Sequence, residues 1–343
     1  MIQPREARRI RLSVRYVMLL IVFWSLYRAG PRPSVEWNEP ATYPPAVHVV
    51  ASALPDSLAN FPAWFAQQER AAGVTDPDVA KHVVFADSMS PKRTPWSVVY
   101  LHGFSATRQE TAPLSAEVAE ALGANLYETR LRGHGLPGDS LANVQASNWM
   151  NDAAFALDVG RRLGDSVLVI GTSTGGTLGV LLATVPKAAR EDLRALVLIS
   201  PNFGPKDRMA GLLTLPWASV VLPRFIPRRT WTAANEEQKR FWTMSYPSSA
   251  LFPMQALVEY VRALPLTGYD TPTLALYNRN DQVVDAERTT HWLDALDAEG
   301  MVKSQRMLVI PTKGEDGHVI AGRIVSPSQT RAVRDRIVAF VRP

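Results

Sequence analysis

The 343-residue sequence contains no cysteine. That absence removes disulfide frameworks, thiolate zinc and iron–sulfur centres, cysteine nucleophiles and a lipidated lipoprotein cysteine in one step. There is no H-E-x-x-H pair, Walker A loop or EF-hand loop, so no metal or cofactor is expected. Internal repeats and low-complexity tracts are missing as well. What is present, 46% apolar and 20% charged residues, is the composition of a globular protein. The length suits one large α/β domain with an insertion, or two ordinary domains.

The formal charge of +5 suggests a binder of nucleic acid until the charges are located. Residues 1–30 hold six of the 37 basic side chains (Arg5, Arg8, Arg9, Arg11, Arg15 and Arg28) and one of the 32 acidic ones, Glu6. The remainder is therefore balanced, 31 against 31, and nucleic acid is not expected as a partner. The arginine-rich start is followed by an apolar run, residues 16–27, whose helical length of about 18 Å falls short of the roughly 30 Å hydrocarbon core. Tilt, snorkelling of Arg15 and an interfacial Trp24 and Tyr27 make up part of the difference. No small-x-small cleavage site follows, so an uncleaved anchor is favoured over a cleaved signal and secretion. The positive-inside bias then puts the folded domain on the non-cytoplasmic side, periplasmic or extracellular. The alternative is a buried N-terminal helix.

Residues 31–80 read as a proline-rich lead-in with one amphipathic helix at 61–72. From residue 81 strands and helices alternate: strands at 81–86, 97–101, 125–131, 166–170 and 193–199, and helices at 112–122, 153–163 and 176–183. The rhythm breaks over 201–270. It resumes with strand 273–277, helix 286–296, strand 305–310 and helix 329–341. Apolar strands separated by helices predict a mostly parallel sheet covered on both faces, an α/β core over 81–200 and 271–343 interrupted once.

The sharpest local feature is Gly171-Thr172-Ser173-Thr174-Gly175-Gly176, set between an apolar strand and a small-residue helix. In that setting G-x-S-x-G holds a serine on a tight strand-to-helix turn with its oxygen above the sheet edge. A serine needs a base to take its proton and an acid to orient that base. The chain order on such sheets is nucleophile, acid, histidine, and only His291 and His318 follow Ser173. His291 falls inside a predicted helix, whereas His318 lies in a loop just beyond a strand, where ligands meet parallel sheets. His318 is thus the expected base. The same rule selects Asp281, directly after strand 273–277, as the acid. Asp270 lies at the wrong end of that strand, Asp285 reads as a helix N-cap, and Asp316 is a possible substitute close to His318. Two amides are needed for the oxyanion: Thr174, which follows the nucleophile, and Phe104 in His102-Gly103-Phe104-Ser105. His102 is expected to brace that loop. Gly133-His134-Gly135-Leu136-Pro137-Gly138 fits a dinucleotide fingerprint, but a polar loop and Pro137 stand where the helix start belongs, so a nucleotide cofactor is not expected.

These segments, with Arg130-Leu131-Arg132-Gly133-His134-Gly135 and Asn280-Asp281-Gln282-Val283-Val284, resemble α/β-hydrolases with serine nucleophiles, from about residue 83 to the C-terminus. Within that fold they look like the bacterial carboxylesterase, monoacylglycerol lipase and lysophospholipase branch. The resemblance implies a Ser–Asp–His triad, an acyl-enzyme and hydrolysis of carboxylic esters. It also implies that 201–270 is the family's inserted cap. That stretch holds Trp217, Phe225, Trp231, Phe241, Trp242, Met244, Phe252 and Met254, suited either to an apolar acyl pocket or to the cap's own small core. A lipid-like or medium-chain ester is the expected substrate. A thioesterase, amidase or peptidase uses the same triad, and a catalytically silent membrane-tethered binding module is the alternative outside enzymes.

Overall fold

The structure, a computed structural model, describes residues 4–35, 54–185, 187, 190–302 and 304–342, with side chains described from Arg15 onward. The part of the lead-in at 36–53 lies outside the described residues.

A seven-stranded sheet is built from β1 (His82–Val84), β2 (Thr94–Leu101), β3 (Asn125–Glu128), β4 (Gly164–Thr172), β5 (Leu193–Ile199), β8 (Thr273–Tyr277) and β9 (Gln305–Leu308). Their order is β1-β3-β2-β4-β5-β8-β9. Every pairing is parallel except β1 with β3, which is antiparallel and closes one edge. Successive side chains of a strand point to opposite faces, and both faces here are apolar. Val99, Leu101, Val167, Val169, Leu196 and Leu198 join one core cluster with helices α4 (Ala146–Leu163) and α5 (Thr174–Thr184). Val98, Tyr100, Leu168, Ile170, Val197 and Ile199 join the other, under α3 (Leu114–Leu122) and the terminal helix α10 (Thr330–Val341).

Two of the boundaries that differ from the sequence reading have identifiable causes. Helix α4 starts seven residues earlier than the predicted 153, because Gln145 and Asn148 form a reciprocal capping box and Trp149 and Met150 are buried. Strand β3 stops at Glu128 rather than 131. Beyond it the amide of Thr129 donates to Tyr100 O at 3.1 Å and that of Leu131 to His102 Nε2 at 3.1 Å, so the chain has left the ladder to line the sheet's C-terminal rim. The G-x-G-x-x-G stretch turns at Gly133 (φ 82°) and Gly135 (φ 68°) into a 3-10 turn, Gly138–Leu141, and no α-helix begins there.

The interruption after β5 folds into α6 (Ala218–Phe225), α7 (Glu236–Phe241), α8 (Leu251–Arg262) and a two-stranded antiparallel sheet of β6 (Arg228–Thr230) and β7 (Ser245–Pro247). It closes over the rim: the Thr243 amide donates to Ser105 O at 2.7 Å, and the Tyr246 ring meets that of Phe104 edge-on, centroids 5.2 Å apart.

At the other end of the chain, α1 (Pro4–Arg28) contains the apolar run, with Tyr16 65% and Phe23 69% exposed. Its C-terminal end is pinned to the insertion. Trp217 donates from Nε1 to Leu26 O and from its backbone amide to Pro31 O, both at 2.9 Å. Among the described residues no helix is long and apolar enough to cross a membrane.

The lead-in helix α2 (Phe61–Ala71) is fastened by charge as well as by Phe61 and Phe65. Glu69 receives Arg130 Nε at 2.5 Å and Nη2 at 3.0 Å, with Lys81 Nζ 3.3 Å away. Burial opposes the ionised Glu69, but its bond from Arg130 and the nearby charges outweigh that and lower its pKa. Removing one partner of such a pair strands a buried charge. Glu69→Ala should therefore destabilise the protein by about 3–5 kcal/mol in equilibrium denaturant unfolding; a loss below about 1 kcal/mol would show that this junction carries no weight.

Candidate active site

Strands β2, β4 and β8 deliver three loops to one rim of the sheet. At the end of β4, Ser173 adopts φ 53° and ψ −118°, outside the regions favoured by residues with a Cβ. The turn closes only because its neighbours lack side chains. A Cβ on Gly175 would lie 2.0 Å from Leu101 O, and one on Gly171 would lie 2.4 Å from Gly175 O. The Ser173 carbonyl accepts from the amides of Gly176 and Thr177 in the helix and from Asn202 after β5, while its own amide donates to Ile199 O at 2.9 Å. The backbone is thus held from both sides, and the hydroxyl is left at the mouth of α5.

Two amides close to Ser173 donate to no acceptor among the described residues. Thr174 opens α5 and has no carbonyl a turn behind it. The second is Phe104. Its peptide is pinned through the Gly103 carbonyl, which accepts from His102 Nδ1 at 2.8 Å and from Ala106 N at 3.3 Å. In a trans peptide the N–H points away from the carbonyl, so the Phe104 amide is turned outward. Among the described residues neither the Phe104 nor the Thr174 amide donates a hydrogen bond. His102 fills the bracing role expected of it, because Nε2 accepts the Leu131 amide while Nδ1 donates to Gly103. Burial first, and the adjacent His134 second, push its pKa well below the ordinary histidine value, so it braces as the neutral ring.

Asp281 and His318 come together from loops after β8 and β9. His318 Nδ1 donates to Asp281 Oδ2 at 2.7 Å, and both side chains are buried. The other oxygen of Asp281 accepts the amides of Val283 at 2.7 Å and Val284 at 3.0 Å, which fixes the carboxylate plane. Burial alone would lower the His318 pKa; the bond to Asp281 and the charges of Asp281, Glu110 and Asp316 outweigh it, and the net direction is upward. Asp316 does not touch the imidazole in place of Asp281. Its Oδ1 accepts the amides of His318 and Val319 and shapes the loop. The remaining candidates fall where the sequence put them: His291 is exposed on α9 (Ala286–Glu299), Asp285 caps that helix through the Glu287 amide, and Asp270 pairs with Arg190 and Lys187 before β8. No hydrogen bond joins Ser173 Oγ to His318 among the described residues.

Sequence reasoning missed Glu110, a carboxylate packed behind the His102–Ser105 loop with its pKa raised to about 7, chiefly by burial. A charged side chain nine residues past a strand carries no signal that separates it from a solvated loop. The insertion's aromatics divide: Phe241, Trp242 and Phe252 are buried, whereas Phe225 is 79% exposed and lines nothing. Met254 reaches the elbow, its sulfur 3.5 Å from Asn202 Nδ2. A cleft of about 540 Å³ between α2 and α4, lined by Trp64, Lys81, Arg132, Asn148 and Asp152 among others, does not include Ser173, Asp281 or His318.

The sequence model of the alpha/beta hydrolase family matches residues 98–329. Over 199 residues the chain is 24% identical to a thermostable monoacylglycerol lipase of Bacillus sp. strain H-257, covering 58% of this chain and 76% of that protein. Among solved structures, one described with LipS and LipT, two metagenome-derived lipolytic enzymes, superposes with a TM-score of 0.62 at 20% identity, covering 78% of this chain and 98% of that one. A soluble variant of monoglyceride lipase from Saccharomyces cerevisiae, in complex with a substrate analog, gives a TM-score of 0.57 at 12% identity, covering 76% and 90%. These likenesses to solved structures show the fold, with its mostly parallel seven-stranded sheet.

The loop that carries His318 is itself held by Glu315. That carboxylate accepts from Thr312 N at 2.9 Å, Thr312 Oγ1 at 2.5 Å, Ser328 N at 2.9 Å and Ser328 Oγ at 2.8 Å. Desolvation raises its pKa, but the bonds from Thr312 and Ser328 prevail and lower it from 4.5 to about 2. A depressed carboxylate stabilises the fold above its unfolded pKa and ceases to do so as pH falls through its folded one. The stability difference between wild type and Glu315→Gln should thus be constant above pH 5 and shrink to nothing by about pH 2 in thermal melts; a difference independent of pH would refute this role.

Proposed function

The chain belongs to the alpha/beta hydrolase family, and from that membership we propose that it is a serine hydrolase of carboxylic esters, with Ser173 as nucleophile, His318 as base and Asp281 as orienting acid. The observation that carries the reading is the 2.7 Å bond between His318 and Asp281 at the rim where Ser173 stands on its positive-φ elbow. His318 Nε2 takes the hydroxyl proton and the serine oxygen attacks the ester carbonyl. The oxyanion is received by the Phe104 and Thr174 amides, an arrangement whose donors are fixed before the charge develops. His318 gives its proton to the leaving alcohol, leaving Ser173 acylated. Water then repeats the sequence, losing a proton to His318, and the acid is released. Asp281 keeps the ring in the tautomer that presents Nε2 as the acceptor and supports the imidazolium. No cofactor enters these steps.

The acyl group is proposed to be lipid-like or of medium length. Buried Phe241, Trp242, Phe252 and Met254 give the insertion an apolar interior close to the elbow, and the relative from Bacillus sp. strain H-257 is a monoacylglycerol lipase. The same machinery serves a thioester, amide or peptide leaving group, which is the second reading within enzymes. Attachment to a membrane through the N-terminal segment, with the catalytic domain on the non-cytoplasmic side, is proposed from the arginine-rich start and the exposed apolar side chains of α1. If so, full-length protein should sediment with membranes and a chain lacking residues 1–30 should not.

A fluorophosphonate should label the protein stoichiometrically, and Ser173→Ala should abolish both labelling and hydrolysis of nitrophenyl esters, with kcat reduced at least about 10⁴-fold. Activity surviving in that variant would sink the assignment, and a folded wild type that takes no label would favour a non-catalytic binding module. Asp281→Asn should cost on the order of 10⁴ in kcat with little change in KM. Because the reaction needs neutral His318 and its pKa is raised from 6.5, kcat/KM should climb with pH and reach half its plateau above pH 6.5. A half-point below 6.5 would show that Asp281 and its neighbours do not raise the His318 pKa.

A further inference from the structure

Glu110 is not used by the mechanism just given, yet it occupies the space immediately behind it. The side chain is 2% exposed. Its Oε2 accepts the Gly103 amide at 2.7 Å and the Tyr100 hydroxyl at 3.2 Å. The Tyr100 hydroxyl in turn lies 3.2 Å from Thr172 Oγ1, on the residue before Ser173. A single carboxyl thus connects the backbone of the Phe104 loop with the last residue of β4. Gly103 is the partition between them: a Cβ there would meet Glu110 Oε1 at 2.7 Å and Ser173 Cβ at 3.1 Å. The carboxyl and the serine side chain both approach the space that Gly103 leaves empty.

The hydrogen bonds define what the carboxyl does to that loop. Gly103 is flanked by two peptides. The one after it is pinned through its carbonyl to His102 and Ala106, and the one before it is pinned through its N–H to Glu110. With both peptides fixed, glycine loses the backbone freedom it would otherwise have, and the Phe104 amide keeps one direction. The titratable groups facing the Glu110 carboxyl are Tyr100 from β2 and, from the loop before α10, His318 and Asp316; those facing His318 are Asp281, Glu110 and Asp316.

We propose that Glu110 is a positioning residue for ester hydrolysis: its carboxyl holds the Gly103 peptide so that the Phe104 amide meets the oxyanion, and its negative charge supports protonated His318. This rests on the assignment of Ser173, Phe104 and His318 made above. The two contributions are separable by chemistry. The first needs only a hydrogen-bond acceptor at Oε2. The second needs a charge. Burial raises Glu110 to a pKa of about 7, while the Gly103 amide and the His318 charge draw it down, so the group changes charge within the pH range of the assay below.

Three proteins make the test: wild type, Glu110→Gln and Glu110→Leu, each checked by circular dichroism and assayed on a nitrophenyl ester from pH 5 to 9. Glu110→Leu removes the acceptor, so its plateau kcat should fall about 10- to 100-fold with KM nearly constant, because oxyanion contacts are realised only in the transition state. Glu110→Gln presents an amide oxygen to Gly103 and Tyr100 and should recover at least about tenfold of that loss. Lacking the charge, it should also shift the acid limb of kcat/KM downward by about half a pH unit or more. A glutamine variant whose acid limb coincides with that of wild type, or a folded leucine variant with wild-type kcat, overturns the proposal; should the leucine protein not fold, the glutamine profile decides alone. Fluorophosphonate labelling of wild type at Ser173 is run alongside. Its absence overturns the site assignment and this proposal together, whereas intact labelling with insensitive Glu110 variants overturns only the proposal.

Discussion

The backbone of Ser173 sits where side-chain-bearing residues are disfavoured, a conformation that costs on the order of 1–3 kcal/mol, and the surrounding structure is arranged so that it cannot relax. Relaxation would move the Ser173 carbonyl away from three amides at once, two from its own helix and one from the loop after β5. Gly175 already lies so close to β2 that a side chain there would meet the Leu101 carbonyl. Parallel pairing of β4 with both β2 and β5 supplies those neighbours. The elbow is therefore a property of the central three strands together, and the loops that carry Asp281 and His318 are placed relative to it by β8 and β9 farther out.

Burial sets the electrical character of the site, and it acts differently on each group. His102 and His318 are both enclosed, but only His318 has a carboxylate on its ring, so one is kept neutral and the other made more basic. The two histidines adopt the same kind of tautomer, Nδ1 donating and Nε2 accepting, with different partners on Nε2. For His102 it is the Leu131 amide; for His318, in the proposed chemistry, it is the Ser173 proton. A brace and a base differ here by what stands at the far end of the ring.

Much of this was legible in the sequence because the relevant signals are local. Continuous apolar strands, the glycine spacing around Ser173 and the loop positions of Asp281 and His318 each depend on a few consecutive residues, and β5 and β8 fall at the limits their apolar runs suggest. What was not legible depends on distant partners. The start of α4 was hidden because Ser147, Asn148, Asn151 and Asp152 are polar, and only burial of Trp149 and Met150 against the rest of the fold makes that turn helical. The strand expected at 81–86 is present but only three residues long, His82–Val84, and its length and antiparallel direction come from its pairing with β3. Glu110 and Glu69 read as surface charges, since what buries them is a backbone amide and a guanidinium from elsewhere in the chain.

Ser173 is anchored in the middle of the sheet, whereas His318 follows a loop secured by its own carboxylates, Glu315 and Asp316, and by Ser328 next to the last helix. Regions fastened by a few exposed polar contacts open at a lower free energy than strands buried on both faces. Residues 311–317, exposed or half-buried just before the buried His318, meet that description, so under the proposed chemistry loss of activity on heating is expected to precede loss of the sheet.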